Sequence, residues 1–277
     1  MISKLTKITL TIICLKLGLS AKSQDIYNSA HSYQYATYLF KSKEFSRAAH
    51  EYQRACFLDS QNWVAHFYLI QSYRKSGQEN KGISHFTKIQ LQLPKSEKLK
   101  FEHESNICRF RTKPNYFETK TEADSVGSLP YFKGPALLMS HKWADSRAYI
   151  SSTSYKENKT LNNYYQLACD GININYKKPW LAGTLSTIVP GLGKFYTGYT
   201  KDGLIALLMT SISGYQAYRG YSGKGARSGI FIIYTGMAAG FYLGNIYGSI
   251  KSAKQKNSRL NEMMDAKTKE IFYEWAE

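Results

Sequence analysis

The chain is poor in acidic residues and in cysteine. Its 277 residues contain 20 Asp and Glu against 37 Lys and Arg, so the formal net charge is +17. The 4 cysteines, Cys14, Cys56, Cys108 and Cys169, lie far apart, without a C-x-x-C pair or a Cys/His motif. This spacing predicts no metal site. If the N-terminus with Cys14 is removed, three cysteines remain and at most one disulfide is possible, and we expect the cysteines to be small buried side chains.

Catalytic patterns are missing from the sequence as well. The 6 histidines all precede Lys178 without metal-ligand spacing, and no Ser/His/Asp or paired-carboxylate arrangement stands out. We therefore expect a non-enzymatic protein that needs no cofactor. A basic chain is suited to nucleic acid, but the export signal at its N-terminus argues against that partner.

The N-terminus has the three parts of a secretory signal. Lys4 and Lys7 precede an apolar stretch at 8–19, and small residues surround a candidate cleavage point at 21–23. The apolar stretch is shorter than the roughly 20 residues that cross a bilayer, which favours a signal peptide at 1–23 over an anchor. The alternative is that this segment is the first helix of a soluble domain.

Two consecutive windows of equal length, 29–62 and 63–96, carry small and apolar residues at helical spacing. They are Tyr35, Ala36, Leu39, Ala48, Tyr52 and Ala55 in the first window, and Leu69, Ile70, Tyr73, Gly82, Phe86 and Ile89 in the second. Both windows resemble tetratricopeptide repeats. The resemblance implies stacked helix pairs, and because such arrays need about three units, we expect a third helical layer that reaches to about 168. Residues 135–151 resemble a degenerate repeat half within it. A generic helical bundle is the alternative.

In tetratricopeptide proteins the first helix of each repeat lines a concave groove that holds a peptide or a partner helix. The resemblance therefore implies a partner-binding groove formed by Tyr33, Thr37, Phe40, Lys41, Phe67, Gln71, Arg74 and Lys75. Its three cations would accept an acidic side chain or a C-terminal carboxylate through charge-assisted hydrogen bonds. The alternative is a solvated basic face above core aromatics.

The composition changes after Lys178, where glycine and uncharged runs become frequent. Of the 20 glycines, 14 lie between 179 and 250, and uncharged runs cover 179–193, 203–218 and 228–250. The last run exceeds the roughly 20 residues that a membrane helix needs. The first is interrupted at 189–191, which suits a re-entrant or interfacial segment. We predict a membrane hairpin domain at 169–257; a glycine-rich hairpin in a soluble protein is the alternative.

Within the last run, four glycines recur every four residues: Gly236, Gly240, Gly244 and Gly248. Glycine costs about 1 kcal/mol in a helix interior relative to alanine, so four of them need a reason. In a membrane this spacing forms a face on which another helix packs closely. The pattern predicts helix packing in the membrane, either within the chain or between copies of it.

The residues around 190 resemble the opening of small bacterial membrane-hairpin domains of unknown function. The hallmark of those domains is a P-G-x-G-x-x-Y-x-G turn before a pair of spans, represented here by Pro190, Gly191, Gly193, Tyr196 and Gly198. The resemblance implies a location in a bacterial membrane and implies no activity.

After the hairpin, Leu260, Met264, Ile271 and Trp275 have helix-like spacing. They predict an amphipathic C-terminal helix at 258–277 that lies on the membrane or on the repeats. The positive charges between and after the apolar runs are compatible with two or with three crossings.

Taken together, the sequence predicts an all-α protein with a tetratricopeptide-like domain at 24–168 followed by a glycine-rich transmembrane hairpin. The predicted function is a non-enzymatic membrane protein of the bacterial cell envelope, whose exported, periplasmic repeats bind a protein or peptide partner as a scaffold or assembly factor. The alternative is a hairpin-driven oligomer that assists membrane-protein assembly or the passage of small solutes.

Overall fold

The computed structural model describes residues 28–120 and 129–277. The predicted signal peptide at 1–23 lies outside the described residues. Within the described ranges the chain forms 12 α-helices and no strand, which confirms the all-α prediction. The chain divides between Lys113 and Pro114 into two compact units. The windows 29–62 and 63–96 lie in the first unit, and residues 135–151 lie in the second.

The first unit consists of five helices. These are α1 (Ser29–Lys41), α2 (Phe45–Leu58), α3 (Trp63–Lys75), α4 (Glu79–Ile89) and α5 (Lys95–Thr112). The side chain of Asn28 caps α1 by accepting a hydrogen bond from His31 N, and Asn62 caps α3 in the same way from Ala65 N. Lys43 and Gly77, which turn the chain between the helices of each pair, both have a positive φ. The two helix pairs thus repeat the same local geometry.

Small side chains allow the helices of the first unit to approach closely. Ala36, Ala48 and Ala55 are 0% exposed and share a core cluster with Tyr52, whereas Phe86 belongs to a second cluster with Ile70. The Tyr52 hydroxyl donates a hydrogen bond of 3.1 Å to Thr37. Helix α5 packs against both α3 and α4, as expected for a helix that covers the open end of the second pair.

The second unit begins with a 3₁₀ turn (Pro114–Phe117) and three short helices. These are α6 (Pro130–Met139), α7 (Trp143–Ser151) and α8 (Lys159–Ile172), with a second 3₁₀ turn (Tyr155–Glu157) before α8. Gly134 and Gly171 lie where a Cβ would meet Ile150 and Trp143, so glycine permits close contact of α7 with its two neighbours. The residues predicted as a degenerate repeat, 135–151, lie in the α6/α7 pair.

The second unit ends with α9 (Pro179–Ile188), α10 (Leu192–Thr197), α11 (Thr200–Lys224) and α12 (Gly229–Ala276). Helix α12 has 48 residues and, by length and composition, is the one described helix long and apolar enough to cross a membrane. At 1.5 Å per residue it is about 72 Å long. The apolar runs at 203–218 and 228–250 lie in α11 and in the first half of α12. We call α11 and the first half of α12 together the hairpin.

The C-terminal segment is continuous with α12 and is not a separate helix, because no glycine or proline interrupts the chain after Gly248. Its apolar side packs on α6 and α8 within the second unit. Phe272 is fully buried against Phe132, and the ring of Trp275 stacks on Tyr131 with centroids 4.6 Å apart. The helical face predicted from Leu260 to Trp275 is therefore a packing face of the second unit.

Candidate functional site

The hairpin has its apolar side chains on the outside. Only 6% of the most apolar window of α12 is buried. The large exposed side chains include Leu204, Leu208, Ile212, Ile232, Ile233 and Leu243, each at least half exposed. A core helix of a soluble protein would bury most of such residues, whereas a helix that is apolar all round and exposed is typical of a membrane span.

The interior beside the hairpin is small and polar. The Ser186 hydroxyl on α9 donates to Ser249 on α12 at 2.7 Å and accepts from the Gly193 amide of α10 at 3.0 Å. The hydroxyls of Thr197 and Ser252 lie 2.9 Å apart. Small residues and hydroxyl hydrogen bonds at helix contacts are the packing devices of membrane proteins.

The glycines of the turn motif each have a steric reason. Gly191 has φ +92, and a Cβ at this position would overlap the carbonyl oxygen of Gly203. A Cβ on Gly193 would overlap the carbonyl oxygen of Ala182, and Gly198 ends α10 at φ +89. A side chain at any of the three would strain or separate the helices.

The two other members of the motif fix the ends of the turn. Helix α9 ends at Ile188, directly before Val189 and Pro190, because proline lacks the amide that would continue the helix. The Tyr196 hydroxyl accepts a hydrogen bond of 3.1 Å from the Lys178 amide. The ammonium group of Lys177 lies 4.8 Å from the centroid of the same ring, so Tyr196 ties the end of α10 to the start of α9.

Together, α9 and α10 descend along α12 and return. Asn257 bonds the backbone of Lys177 at one end of α9, and the Tyr242 hydroxyl donates to the Thr187 carbonyl at the other. These two contacts are 15 residues apart on α12, about 22 Å. Because Thr197 then meets Ser252, α10 leads the chain back toward the level at which it entered. A segment of this shape would be re-entrant if the hairpin lies in a membrane.

The glycine row, Gly236, Gly240, Gly244 and Gly248, does not hold α11 against α12. A Cβ at any of the first three would meet nothing within 4 Å, and one at Gly248 would meet only the side chain of Lys194. The two hairpin helices instead approach closely at Gly220, where a Cβ would lie 2.6 Å from the Phe231 nitrogen. Gly236, Gly240 and Gly244 are exposed and Gly248 is half-buried; Gly240 and Gly244 border an open cavity beside α11.

The residues predicted for the partner groove lie in α1 and α3, but most of them make contacts within the unit. The rings of Tyr33, Phe40 and Phe67 are half-buried; Phe40 packs edge-on against Tyr68, and Phe67 against Phe101 of α5. The Thr37 hydroxyl donates to the Tyr33 carbonyl. Lys41 and Lys75 are exposed and remain accessible to a ligand.

Arg74 is 5% exposed and pairs with Glu104 of α5. The distance between its Nε and Glu104 Oε1 is 2.5 Å, and the Gln71 amide approaches the other carboxylate oxygen at 3.5 Å. The two groove residues Arg74 and Gln71 therefore bind a carboxylate of the chain itself. They join α3 to α5, and we do not retain them in the proposed partner site.

The structure brings together Cys56, His66 and His85, from α2, α3 and α4, which sequence spacing did not associate. Their ligand atoms lie within 4.8 Å of one another and could hold a metal ion. The His66 Nδ1 and His85 Nε2 are 2.8 Å apart, whereas two nitrogens on a tetrahedral Zn²⁺ with bonds of about 2.0–2.1 Å would be roughly 3.3 Å apart. The present geometry is that of a hydrogen-bonded pair.

The hydrogen bonds show which nitrogens of the two imidazole rings carry a hydrogen. The His66 Nε2 is 3.2 Å from the Ser60 carbonyl, which can only accept, so that nitrogen carries the hydrogen. The Nδ1 of a neutral His66 must then accept from His85 Nε2. Burial lowers the pKa of His66, and burial together with His66 and Lys88 lowers the pKa of His85 to about 4, so both rings are neutral at pH 7.

No protein-family model, no curated protein and no solved structure matches this chain.

Proposed function

We propose that the protein is a membrane-anchored interaction scaffold of the bacterial cell envelope. In this proposal the hairpin lies in the bilayer, and the helix pairs of residues 29–112 are presented to a protein or peptide partner. The observation that carries the proposal is the outward placement of the apolar side chains in α11 and α12, with 6% of the most apolar window buried. Lipid is the surrounding that such a surface fits.

The path of α9 and α10 supports two crossings over three. Because these helices enter and leave at one end of the hairpin, the two crossings of this proposal are α12, whose length and composition suit a span, and α11, whose uncharged run at 203–218 is shorter. With an exported N-terminal unit, the turn that carries Lys224 and Arg227 lies on the cytoplasmic side, as the positive-inside rule favours. The repeats and the C-terminus then share the periplasmic side.

The proposed partner is a peptide or protein segment with an acidic end. Lys41 and Lys75 are exposed in the last turns of α1 and α3, the first helices of the two repeats. The half-buried ring of Phe40 lies beside Lys41 in the sequence of α1, whereas the ring of Phe67 on α3 is in contact with Phe101 and with the Lys100 ammonium of α5. Exposed lysines bind carboxylates through charge-assisted hydrogen bonds.

Charge reversal at the two lysines tests the binding proposal. Full-length protein in nanodiscs is titrated with an array of peptides that end in acidic residues or a carboxylate, in the wild type and in K41E/K75E. We expect the double variant to lose at least about tenfold in affinity, since charged hydrogen bonds contribute roughly 1.5–3 kcal/mol each. The variant K88E/K95E changes the net charge equally at exposed lysines of α4 and α5 and should bind normally. Equal binding by both double variants would remove the proposed site.

A second candidate function, self-association in the membrane, is favoured by the outward-facing glycine row. Gly240 and Gly244 have open space where a side chain would be, which permits close approach of a helix from another copy. We expect G240L/G244L to abolish dimer crosslinking in membranes. The matched variant G214L/G223L changes two glycines of α11 that also have open space and should still crosslink. Unchanged crosslinking of G240L/G244L would reject the role of the row.

A further inference from the structure

A cavity of about 300 Å³ lies between α10, α11 and α12. Its walls differ in chemistry: Lys194, Asp202 and Asn245 supply polar groups, whereas Ile205, Met209 and Phe241 are apolar. Gly240 and Gly244 line the α12 side of the cavity together with Phe241 and Asn245. The volume is at the small end of the range for ligand sites, about 300–1,000 Å³, and suits a headgroup better than a whole lipid.

Asn245 is the observation that points to a ligand. Its side chain is 4% exposed, and neither the amide nitrogen nor the amide oxygen has a hydrogen-bond partner. A buried polar group without a hydrogen-bond partner lowers the stability of the fold by roughly 1–3 kcal/mol. The Asn245 carboxamide leaves both a donor and an acceptor without a partner. Asn245 lines the cavity, so a ligand there with donor and acceptor groups would satisfy both atoms.

The glycines make the cavity possible. A Cβ at Gly240 or Gly244 would meet nothing within 4 Å, so the space beside α12 exists because these positions lack side chains. The apolar rim is open to the outside, with Ile205 55% exposed and Met209 48% exposed. A ligand can therefore place an apolar chain along the outer surface of the hairpin while a polar part enters.

The two charged groups of the cavity, Lys194 and Asp202, have opposite signs. Among the described residues neither forms an ion pair. The end of the Lys194 side chain lies along α12, with its Nζ 3.7 Å from the position of a Cβ on Gly248. Asp202 is exposed in the first turn of α11, at the end of the hairpin where headgroups would lie. A ligand that carries one negative and one positive group complements this pair.

We propose that this cavity binds the headgroup of a zwitterionic phospholipid, with the phosphate on Lys194, the ammonium on Asp202 and the Asn245 amide between them. The amide nitrogen donates to a phosphate or ester oxygen, and the amide oxygen accepts from the ammonium. The acyl chains lie against Ile205, Met209 and Phe241. This inference rests on the proposed insertion of the hairpin into a membrane.

Lipid retention by the full-length protein tests the proposal. Protein stripped of lipid in detergent is mixed with micelles containing phosphatidylethanolamine, with micelles containing phosphatidylglycerol, or with inorganic phosphate alone. Bound lipid is counted by native mass spectrometry, and the melting temperature is recorded. The wild type should retain one phosphatidylethanolamine and gain thermal stability from it. It should bind phosphatidylglycerol at least about tenfold more weakly, because that headgroup has no ammonium for Asp202.

Three variants separate the roles of the polar groups. D202N should lose the preference for phosphatidylethanolamine over phosphatidylglycerol, and K194M should weaken both lipids. N245L should weaken both by about tenfold or more, yet should melt at a higher temperature than the wild type without lipid, because leucine removes the unpaired amide. G244L should fill the site, whereas G214L, in open space on α11, should bind as the wild type.

Equal retention of phosphatidylethanolamine by the wild type, N245L and G244L would overturn the proposal. Equal stabilisation by inorganic phosphate alone would overturn the lipid assignment in favour of a soluble phosphate compound. A protein that stays soluble without detergent and separates from membranes would contradict the proposed function itself. A membrane-integrated protein without phosphatidylethanolamine selectivity would contradict this inference alone.

Discussion

At the scale of single residues, the ion pair of Arg74 and Glu104 is the buried charge interaction that joins α3 to α5. Both side chains are 5% exposed, so neither charge has water to stabilise it when the other is removed. Breaking such a pair from one side costs about 3–5 kcal/mol, whereas replacing both partners by apolar residues is often neutral.

We therefore expect R74M to lower the free energy of unfolding of α3 and α5 by about 3–5 kcal/mol and R74M/E104M to restore most of it. Hydrogen exchange of the amides in these helices measures the change. The neighbouring variant K75M removes an exposed charge and should cost no more than about 1 kcal/mol. A cost for R74M as small as that for K75M would contradict the account of the pair.

We expect the His66–His85 pair to make the stability of the first unit depend on pH. The pKa of His85 is about 4 in the folded chain against 6.5 for an ordinary histidine, so the unfolded chain takes up the proton first as the pH falls. The stabilisation is complete above about pH 6.5 and is lost progressively toward pH 4. The shift corresponds to a loss on the order of 3 kcal/mol.

Urea unfolding at pH 7 and at pH 4.5, with a chelator present throughout, measures this loss. The variant H85N should show a smaller difference between the two pH values, because asparagine takes up no proton. Burial also lowers the pKa of His66, so part of the dependence should remain. Equal differences in the wild type and H85N would contradict the role of His85.

Sequence patterns could not predict these pairs. Arg74 and Glu104 are 30 positions apart, and His66 and His85 are 19 apart, so no helical periodicity connects them. The resemblance to tetratricopeptide repeats implies a groove position for Arg74. Here α5 supplies a carboxylate at that place, which only the packing of the helices reveals.

At the scale of elements, the sequence predicts most helices because their signals are local. The spacing of Ala36, Leu39 and Ala48 indicates packed helices, and the proline at 190 indicates the break between α9 and α10. The sequence predicts a boundary between 257 and 258, where the polar composition that follows Ile250 gives way to an amphipathic pattern, whereas α12 continues through it to Ala276. Helices end where backbone geometry or capping ends them, and composition alone does not.

The turn motif gives a prediction at this scale. G193A adds a Cβ that would overlap the Ala182 carbonyl oxygen and the Ser186 hydroxyl, so α9 and α10 must separate. We expect a loss of roughly 1–3 kcal/mol, seen as a lower melting temperature in detergent and faster proteolysis near 190. G214A places the same methyl group in open space on a helix and should be neutral or stabilising by up to about 1 kcal/mol. Equal melting temperatures for the two variants would contradict the packing argument.

At the scale of the whole molecule, the chain combines two surfaces of opposite character. The first unit exposes lysines and buries its aromatic core, whereas the hairpin exposes leucine and isoleucine and buries small residues such as Gly203, Ser213 and Gly220. One solvent cannot suit both surfaces. We therefore propose that water surrounds the first unit and that lipid surrounds the hairpin.

Accessibility of two exposed leucines tests this claim most directly. Leu91 is 93% exposed in the repeat unit, and Leu243 is 64% exposed on α12. L91C and L243C are made separately in a chain whose own cysteines are alanine, and membranes opened by freezing and thawing are treated with a water-soluble maleimide. We predict that L91C reacts within minutes and that L243C reacts only after detergent is added. Equal reaction rates of the two variants in intact bilayers would contradict the account.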